Sequence, residues 1–476
     1  MPLYSSLSQV QADLNSGSTT LTNIVNHYLK NIESHNGELN VFLEVFADEA
    51  LQKAEEIQKK INDGKAGKLA GMVLAIKDNI CYAGHKVSAS SKILNEFESL
   101  YTATALQRLL DEDVIVIGRT NCDEFAMGAS TENSAFGATK NAADTSRVPG
   151  GSSGGSAVAV QADMCLASLG SDTGGSIRQP AAFTGTIGLR PTYAHVSRFG
   201  LIAYASSFDQ IGPFTNSVED AKQIMAVMHG ADDQDATAAR VAVDYTQAEA
   251  EGPKKIAFVR DCIEHEALDQ EIKDRFYALE KKLIAQGHTI EWVDFPYTDY
   301  VVPNYYMLTT AEASSNLARF AGMLYGHRSS ESHDIESTIV KSRSEGFGEE
   351  VQRRIMLGTF VLSAGYYDAY YAKAQKVRRL VKNHMDELFV KYDFVMLPTT
   401  PHAAFQFGAN EDPIAMYLED IFCMQASLAG IPAVSVPIQP NEQGLPLGAQ
   451  IISKAFTEPQ MLDFAGKVQE AGAQLI

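Results

Sequence analysis

The sequence predicts an α/β fold, a central β-sheet covered by helices on both faces. Short, almost uninterrupted apolar runs mark buried strands rather than half-exposed ones. Segments of helical spacing lie between those runs. The chain has 476 residues, 45% hydrophobic and 21% charged, an ordinary soluble composition with enough length for a large core.

The N-terminal segment, about 1–65, reads as helical. Leu21, Ile24, Val25, Tyr28, Leu29 and Ile32 recur at helical spacing, with Thr19 or Thr20 as N-cap and Gly37 as a stop. A short apolar run, Val41–Phe46, precedes a second helix over Ala47–Ile61. Strands are predicted at Met72–Ile76, Val114–Ile117, Met164–Leu169, Ile256–Val259, Phe394–Leu397, Ala433–Val436 and Ala449–Ile452. Helices are predicted between them at Ala103–Leu110, Ser156–Ala162 and Val218–Met228. Two long helical stretches follow, about Tyr305–Tyr325 and Glu349–Phe389. The polar, acidic segment Ala231–Lys255 lacks periodicity and reads as a surface excursion. The expected organisation is one domain over 1–476, with a core of about 66–215 and an additional lobe of about 230–390.

Lys plus Arg is 39 and Asp plus Glu is 59, a net charge of −20. Such a field repels phosphate backbones and anionic membranes. No run of clustered Lys and Arg offers a nucleic-acid stripe. The five cysteines, Cys81, Cys122, Cys165, Cys262 and Cys423, are widely spaced without a CxxC. This favours a reducing compartment and argues against a zinc cage or a disulfide framework. No Lys or Arg occurs before Lys30, so a basic signal or transit peptide is not expected. The most apolar stretch, Ala157–Leu169, is broken by Gln161 and Asp163 and is too short to span a bilayer. A cytoplasmic protein is expected.

Three segments carry chemistry. In Val73-Leu74-Ala75-Ile76-Lys77-Asp78-Asn79, a lysine follows four apolar residues at a strand end. Its bland reading is a surface lysine opening a loop. Burial would instead disfavour the ammonium and make Lys77 a base near neutral pH. The second segment, Val148-Pro149-Gly150-Gly151-Ser152-Ser153-Gly154-Gly155-Ser156, could be a flexible linker, but it leads straight into a core-like helix. Gly151, Ser153 and Gly155 also match the G-x-S-x-G elbow of α/β-hydrolases, though residues 138–149 do not look like the strand an elbow needs. The third, Ser168-Leu169-Gly170-Ser171-Asp172-Thr173-Gly174-Gly175-Ser176-Ile177-Arg178-Gln179-Pro180, puts a serine after two glycines in a turn that follows a strand. Glycines let successive N–H groups converge on one point, as an oxyanion requires.

Together these segments resemble the amidase signature family. The Gly/Ser-rich stretch from Gly150 to Pro191 contains GGSSGGS and then GSDTGGSIRQP, with Ser152 and Ser176 separated by 24 residues and the lysine upstream. The resemblance implies the amidase signature fold, with a mixed central sheet. It implies Ser176 as the acyl-forming nucleophile and Lys77 as base. Ser152, beside a cis peptide, would relay the proton between them. The N–H groups of Thr173, Gly174, Gly175 and Ser176 would form the oxyanion hole. Ser-Lys variants of the serine triad need no histidine, so His195 is read as structural.

Three further segments resemble the A subunits of glutamyl-tRNA(Gln) amidotransferases. They are Ser197–Pro213, Glu312–Phe320 and Gly346–Ile355. That likeness implies a glutaminase supplying ammonia for conversion of Glu-tRNA(Gln), with Asp-tRNA(Asn) as a further acceptor left open. It also implies a heterotrimer with B and C subunits, ATP and Mg²⁺ used in the partner, and a misacylated tRNA held mainly there. No cofactor or metal is expected in this chain. Glutamine's α-carboxylate calls for an arginine and its α-ammonium for a carboxylate. Arg354 and Asp420 match those roles by resemblance, with Arg353 as the neighbouring register and Tyr305 or Tyr306 lining the pocket. Ala321, His195 and Cys423-Met424-Gln425 depart from the family's usual residues. The alternatives are a stand-alone amidase acting on aliphatic or aryl amides, an esterase using Ser153, and an inactive scaffold.

Overall fold

The computed structural model describes residues 2–246, 252–409 and 413–475. Eleven strands form one sheet: β1 (Phe42–Val45), β2 (Val73–Lys77), β3 (Ile115–Thr120), β4 (Ala167–Asp172), β5 (Ile187–Arg190), β6 (Gln210–Thr215), β7 (Lys255–Val259), β8 (Thr289–Val293), β9 (Phe394–Pro398), β10 (Ala433–Ile438) and β11 (Leu447–Ile452). Their spatial order is β1-β3-β2-β4-β6-β5-β10-β11-β9-β7-β8. The sheet is mixed. β3, β2 and β4 run parallel, as do β9, β7 and β8, while the strands between are antiparallel.

Every residue of β2, β3, β4 and β6 is buried, which is why β2 runs apolar up to Lys77 and β3 opens on Ile115-Val116-Ile117 without alternation. The helix Glu458–Gly472 packs on β10 and on the helix Val218–Met228. Thr20 caps the helix Leu21–Leu39, its hydroxyl accepting from the Asn23 N–H at 3.2 Å. Among the described residues no helix is long and apolar enough to cross a membrane.

Several boundaries differ from the sequence reading. Gly37 is no stop, because the helix continues to Leu39 and Asn40 takes the left-handed cap at φ 52°. The predicted helix over Tyr305–Tyr325 is Thr298–Asn316, followed by a short 3-10 turn. The stretch over Glu349–Phe389 is two helices, Glu349–Leu362 and Lys373–Lys391, parted near Gly365 at φ 87° and a π-helical turn. The strand expected at Met164–Leu169 begins at Ala167 and runs on to Asp172. β1, within the apolar run Val41–Phe46, and β5, β6 and β8 are additional to the predicted strands. Of the acidic segment Ala231–Lys255, residues 247–251 lie outside the described residues, and Lys255 opens β7.

Candidate active site

The parallel strands β2 and β4 end side by side, and their carboxyl ends define the site, as in open α/β sheets generally. Lys77 is the last residue of β2. β4 ends at Asp172, and the turn Thr173–Ser176 follows directly. The helix Gly154–Gln161 delivers Ser152 and Ser153 to the same point from its N-terminus. No strand leads directly into Ser153, the preceding strand β3 ending at Thr120, so the elbow of an α/β-hydrolase is not formed.

Lys77 is completely buried. Its Nζ lies 2.7 Å from Ser152 Oγ, 2.9 Å from Ser153 Oγ and 3.0 Å from Ser171 Oγ. Ser153 donates its own proton to the Ser171 carbonyl at 3.1 Å, so it receives an N–H from Lys77. A neutral lysine has two N–H groups and one lone pair. Ser153 and Ser171 can take the two N–H groups, which leaves the lone pair for the Ser152 hydroxyl. Desolvation is the largest influence on Lys77 and pulls its pKa down to about 8; Asp123, Asp172 and Asp209 act in the opposite direction. The Gly151–Ser152 peptide is cis, as the resemblance implied.

The dependence on pH follows from the sign of that shift. Below about 8 Lys77 is an ammonium and cannot accept a proton; above it the amine is free. We expect kcat to rise about tenfold per pH unit on the acid side and to level off above about 8. A kcat flat from pH 6 to 9 would remove Lys77 as the base.

Ser176 is buried against this cluster, its carbonyl accepting the Ser153 N–H at 3.3 Å. Its turn is anchored from beneath. Asp172 is fully buried between two fully buried arginines, Arg178 at 3.1 Å and Arg190 at 2.8 Å. Burial alone would raise its carboxyl, but the two guanidiniums hold it well below the usual carboxylate range. Two cations on one anion leave a net positive charge under the turn, which favours an oxyanion above it. Arg178 Nη2 and Ser427 Oγ both donate to the Gly174 carbonyl, at 2.6 and 2.7 Å. In a trans peptide the N–H points opposite its carbonyl, so pinning Gly174 O fixes the direction of the Gly175 N–H. Among the described residues, the N–H groups of Gly174, Gly175 and Ser176 donate to no protein acceptor. Thr173 is tied through its hydroxyl to Asp209 at 2.6 Å.

Glycine is required at 174 and 175 by close approach. A β-carbon at 174 would sit 2.9 Å from Tyr305 Oη, and one at 175 would sit 2.7 Å from Asp420 Oδ1. Tyr305 and Asp420 therefore border the nucleophile turn directly. Asp420 Oδ1 is buried without a hydrogen-bond partner, and burial pushes the carboxyl up to about 8. Arg354 is buried among Tyr204, Tyr306 and Tyr417, with ring centroids 5.6, 5.2 and 5.4 Å away. Its Nε donates to Glu350 at 2.7 Å and its Nη1 to Tyr204 at 3.1 Å. Among the described residues Nη2 has no acceptor. Arg353 instead pairs with Glu349 and Glu350 at the surface. Both tyrosines are buried here: Tyr305 covers Gly174, and Tyr306 stacks on Tyr417 at 4.0 Å. His195 bonds Tyr245 at 3.1 Å, and burial lowers its pKa to about 3.

The sequence reading did not single out Ser153 and Ser171 as partners of Lys77, nor the Asp172–Arg178–Arg190 cluster. Asp172 and Arg178 were nonetheless visible as the two charged residues within the Gly-rich GSDTGGSIRQP segment.

The Amidase sequence profile matches residues 23–462, nearly the whole chain. The chain belongs to the amidase family. It is 50% identical over 457 residues to the glutamyl-tRNA(Gln) amidotransferase A subunit of Koribacter versatilis, covering 95% of each chain. It is 47% identical over 472 residues to the protein of the same name from Chlorobium limicola, covering 98% of this chain and 99% of that one. The crystal structure of the glutamyl-tRNA(Gln) amidotransferase A subunit from Thermotoga maritima superposes with a TM-score of 0.78 at 38% identity, covering 95% of this chain and 92% of that one. The amidase fold expected from the sequence, a mixed sheet flanked by helices, is the one found.

Proposed function

We propose that this amidase hydrolyses L-glutamine as the ammonia-supplying component of a tRNA-dependent amidotransferase. The observation that carries the choice of substrate is a buried guanidinium, Arg354, over the Tyr306 ring, together with a buried carboxyl oxygen on Asp420 that has no hydrogen-bond partner and that borders the nucleophile turn alongside Tyr305. An amide with an α-carboxylate and an α-ammonium satisfies both. A plain aliphatic or aryl amide would leave Asp420 unpaired and desolvated.

The reaction follows from the groups in place. Ser176 Oγ attacks the side-chain amide carbon of glutamine, its proton passing to Ser152 Oγ as the Ser152 proton moves to Lys77 Nζ. The carbonyl oxygen becomes an oxyanion facing the N–H groups of Thr173, Gly174, Gly175 and Ser176, above the cationic Asp172–Arg178–Arg190 cluster. Lys77 returns a proton through Ser152 to the departing nitrogen, which leaves as ammonia. A γ-glutamyl ester remains on Ser176. Water then attacks the ester with the same relay as base, releasing glutamate and restoring the Ser176 hydroxyl.

Ammonia made this way serves a partner. Relatives named as A subunits support membership of an enzyme of several different chains. B and C subunits would complete it, with ATP and Mg²⁺ used in the partner to activate Glu-tRNA(Gln). The charge of −20 supports placing most of the tRNA on that partner.

The pocket is tested by comparing adjacent arginines. Arg354→Ala should raise KM for glutamine about 100-fold, as losing one member of a desolvated charge pair does. Arg353→Ala should change KM by less than about twofold, since exposed pairs contribute little. Equal effects, or an Arg354→Ala enzyme with unchanged KM, would favour a stand-alone amidase without a glutamine pocket.

A further inference from the structure

We infer that Glu124 is a positioning residue for the glutamine site, a buried carboxylate strut that ties the helix bearing Arg354 to the segment holding Ser152. The inference rests on the glutamine-binding reading of Arg354.

Glu124 is buried and follows Asp123, whose N–H donates to the Ser152 carbonyl at 3.1 Å. The Asp123 carboxylate holds the Thr131 and Asn133 N–H groups at 2.9 and 3.1 Å, and the Glu124 N–H donates to the Asn133 carbonyl at 2.9 Å. This turn is thus fixed to the relay serine. The Glu124 side chain then reaches away from it. Oε2 accepts the Gly348 N–H at 2.8 Å, and Oε1 accepts the Ser91 hydroxyl. Ser91 Oγ also lies 3.1 Å from the Gly346 carbonyl.

Gly348 is the N-cap of the helix Glu349–Leu362, and no side chain of its own segment caps it. Glu124 supplies that cap from across the fold, where a carboxylate also opposes the positive end of the helix. The approach is close enough that a β-carbon at 348 would lie 2.4 Å from Glu124 Oε2. Arg354 and its partner Glu350 are carried by this helix, so its N-terminus sets where the guanidinium stands relative to Ser152 and Ser176.

The polar link matters because packing here is incomplete. A cavity of about 330 Å³ lies against Glu124 and runs along Gly346–Glu350. Its other charged lining residues are Lys92, Glu345, Glu349 and Glu350, and among the described residues Lys92, the one cation of the set, makes no ion pair with Glu124. Phe347 packs edge-on against Phe125 with centroids 5.6 Å apart, which holds the chain in place but does not fix the helix end. Without the carboxylate the N-terminal turn can settle into the cavity and carry Arg354 with it.

The test is steady-state glutamine hydrolysis by Glu124→Ala and Glu124→Gln, each alone and with Arg354→Ala. Glu124→Ala should raise KM about tenfold, the loss expected for one charge-assisted hydrogen bond, with kcat within about twofold. Glu124→Gln keeps an acceptor for the Gly348 N–H and should stay within about threefold of wild-type KM. In the Arg354→Ala background, Glu124→Ala should change kcat/KM by less than about twofold, because the group it positions is gone. If Glu124→Ala does not fold, Ser91→Ala removes one of the two anchors and should raise KM about threefold with kcat unchanged. A fall in kcat at constant KM, a Gln variant as impaired as the Ala variant, or losses that multiply with Arg354→Ala would overturn the inference. If Arg354→Ala itself leaves KM unchanged, the pocket reading fails and the role of Glu124 falls with it. If only the coupling is missing, the pocket stands and Glu124 does not act through it.

Discussion

Ser176→Ala is expected to lower glutamine hydrolysis by at least about 10⁴-fold while leaving the melting temperature within a degree or two. The small stability change follows from the hydroxyl's freedom: among the described residues no group hydrogen-bonds Ser176 Oγ, although its carbonyl is held by Ser153. The large activity change follows from the relay. Lys77 touches Ser152 but not Ser176, so the base serves the nucleophile only through the intermediate serine. Ser152→Ala and Lys77→Met should therefore fall into the same range, and the double variants should be little worse than the singles, since the three act as a unit. Ammonia release measured on purified protein, with melting curves alongside, checks this. A loss below tenfold for Ser176→Ala would mean that another hydroxyl attacks. Ser153 is poorly suited, because its hydroxyl donates to Ser171 and accepts from Lys77.

Asp172→Asn should be the most damaging substitution away from the reacting atoms. Asp172 accepts from Arg178 Nε and Nη2 and from Arg190 Nη1, with all three residues fully buried. Asparagine cannot neutralise either cation, and its amide group would present donors to donors. Breaking a buried charge cluster in this way costs about 3–5 kcal/mol. A matching fall in the urea midpoint, followed by circular dichroism, is the expected result; an unchanged midpoint would contradict the role assigned to the cluster. Activity should suffer as well, by about 10²-fold in kcat, because Arg178 would no longer hold the Gly174 carbonyl and the donors at 174–176 would lose their aim. The native Asp172 carboxyl is depressed, so its contribution to stability is present above about pH 4 and is lost only as pH falls through the native value. The Asn variant should lack that part of the acid dependence.

The chemistry of this protein is legible in its sequence where it is local. A lysine after an apolar run and two serines in glycine-rich turns announce themselves within a few residues. β4 extends three residues beyond its apolar run for a physical reason: Gly170, Ser171 and Asp172 do not look like strand residues because two of them serve the site, Ser171 on Lys77 and Asp172 on two arginines. β5 and β6 escape a reading of apolar runs because they contain glycine and proline. Gly212 is needed there, since a β-carbon would lie 2.0 Å from the Leu189 carbonyl, and Pro213 sits within the pairing opposite Leu169. Such close strand contacts are tertiary and leave no local signal.

The register between Arg353 and Arg354 is also written in the periodicity. Val351, Arg354, Gly358 and Val361 are the buried positions of their helix, a stripe at helical spacing that includes Arg354 and passes Arg353 by. Gly358 lies on the same stripe because the helix crosses Thr298–Asn316 there; a β-carbon would sit 1.9 Å from the Thr310 carbonyl. Glu350 lies one turn away from Arg354 on the same helix, but its other partners, at residues 204, 306 and 417, are brought together only by the folded chain.

The most direct test of the central claim is glutamine-dependent conversion of Glu-tRNA(Gln) by this protein with its B and C partner subunits, comparing wild type with Ser176→Ala and using ammonium chloride as an alternative nitrogen source. The account predicts that Ser176→Ala abolishes conversion with glutamine and that ammonium restores it fully, because the chain's task is to generate ammonia. Conversion with glutamine that survives Ser176→Ala, or a wild type that never supports conversion while cleaving simple aryl amides, would contradict it.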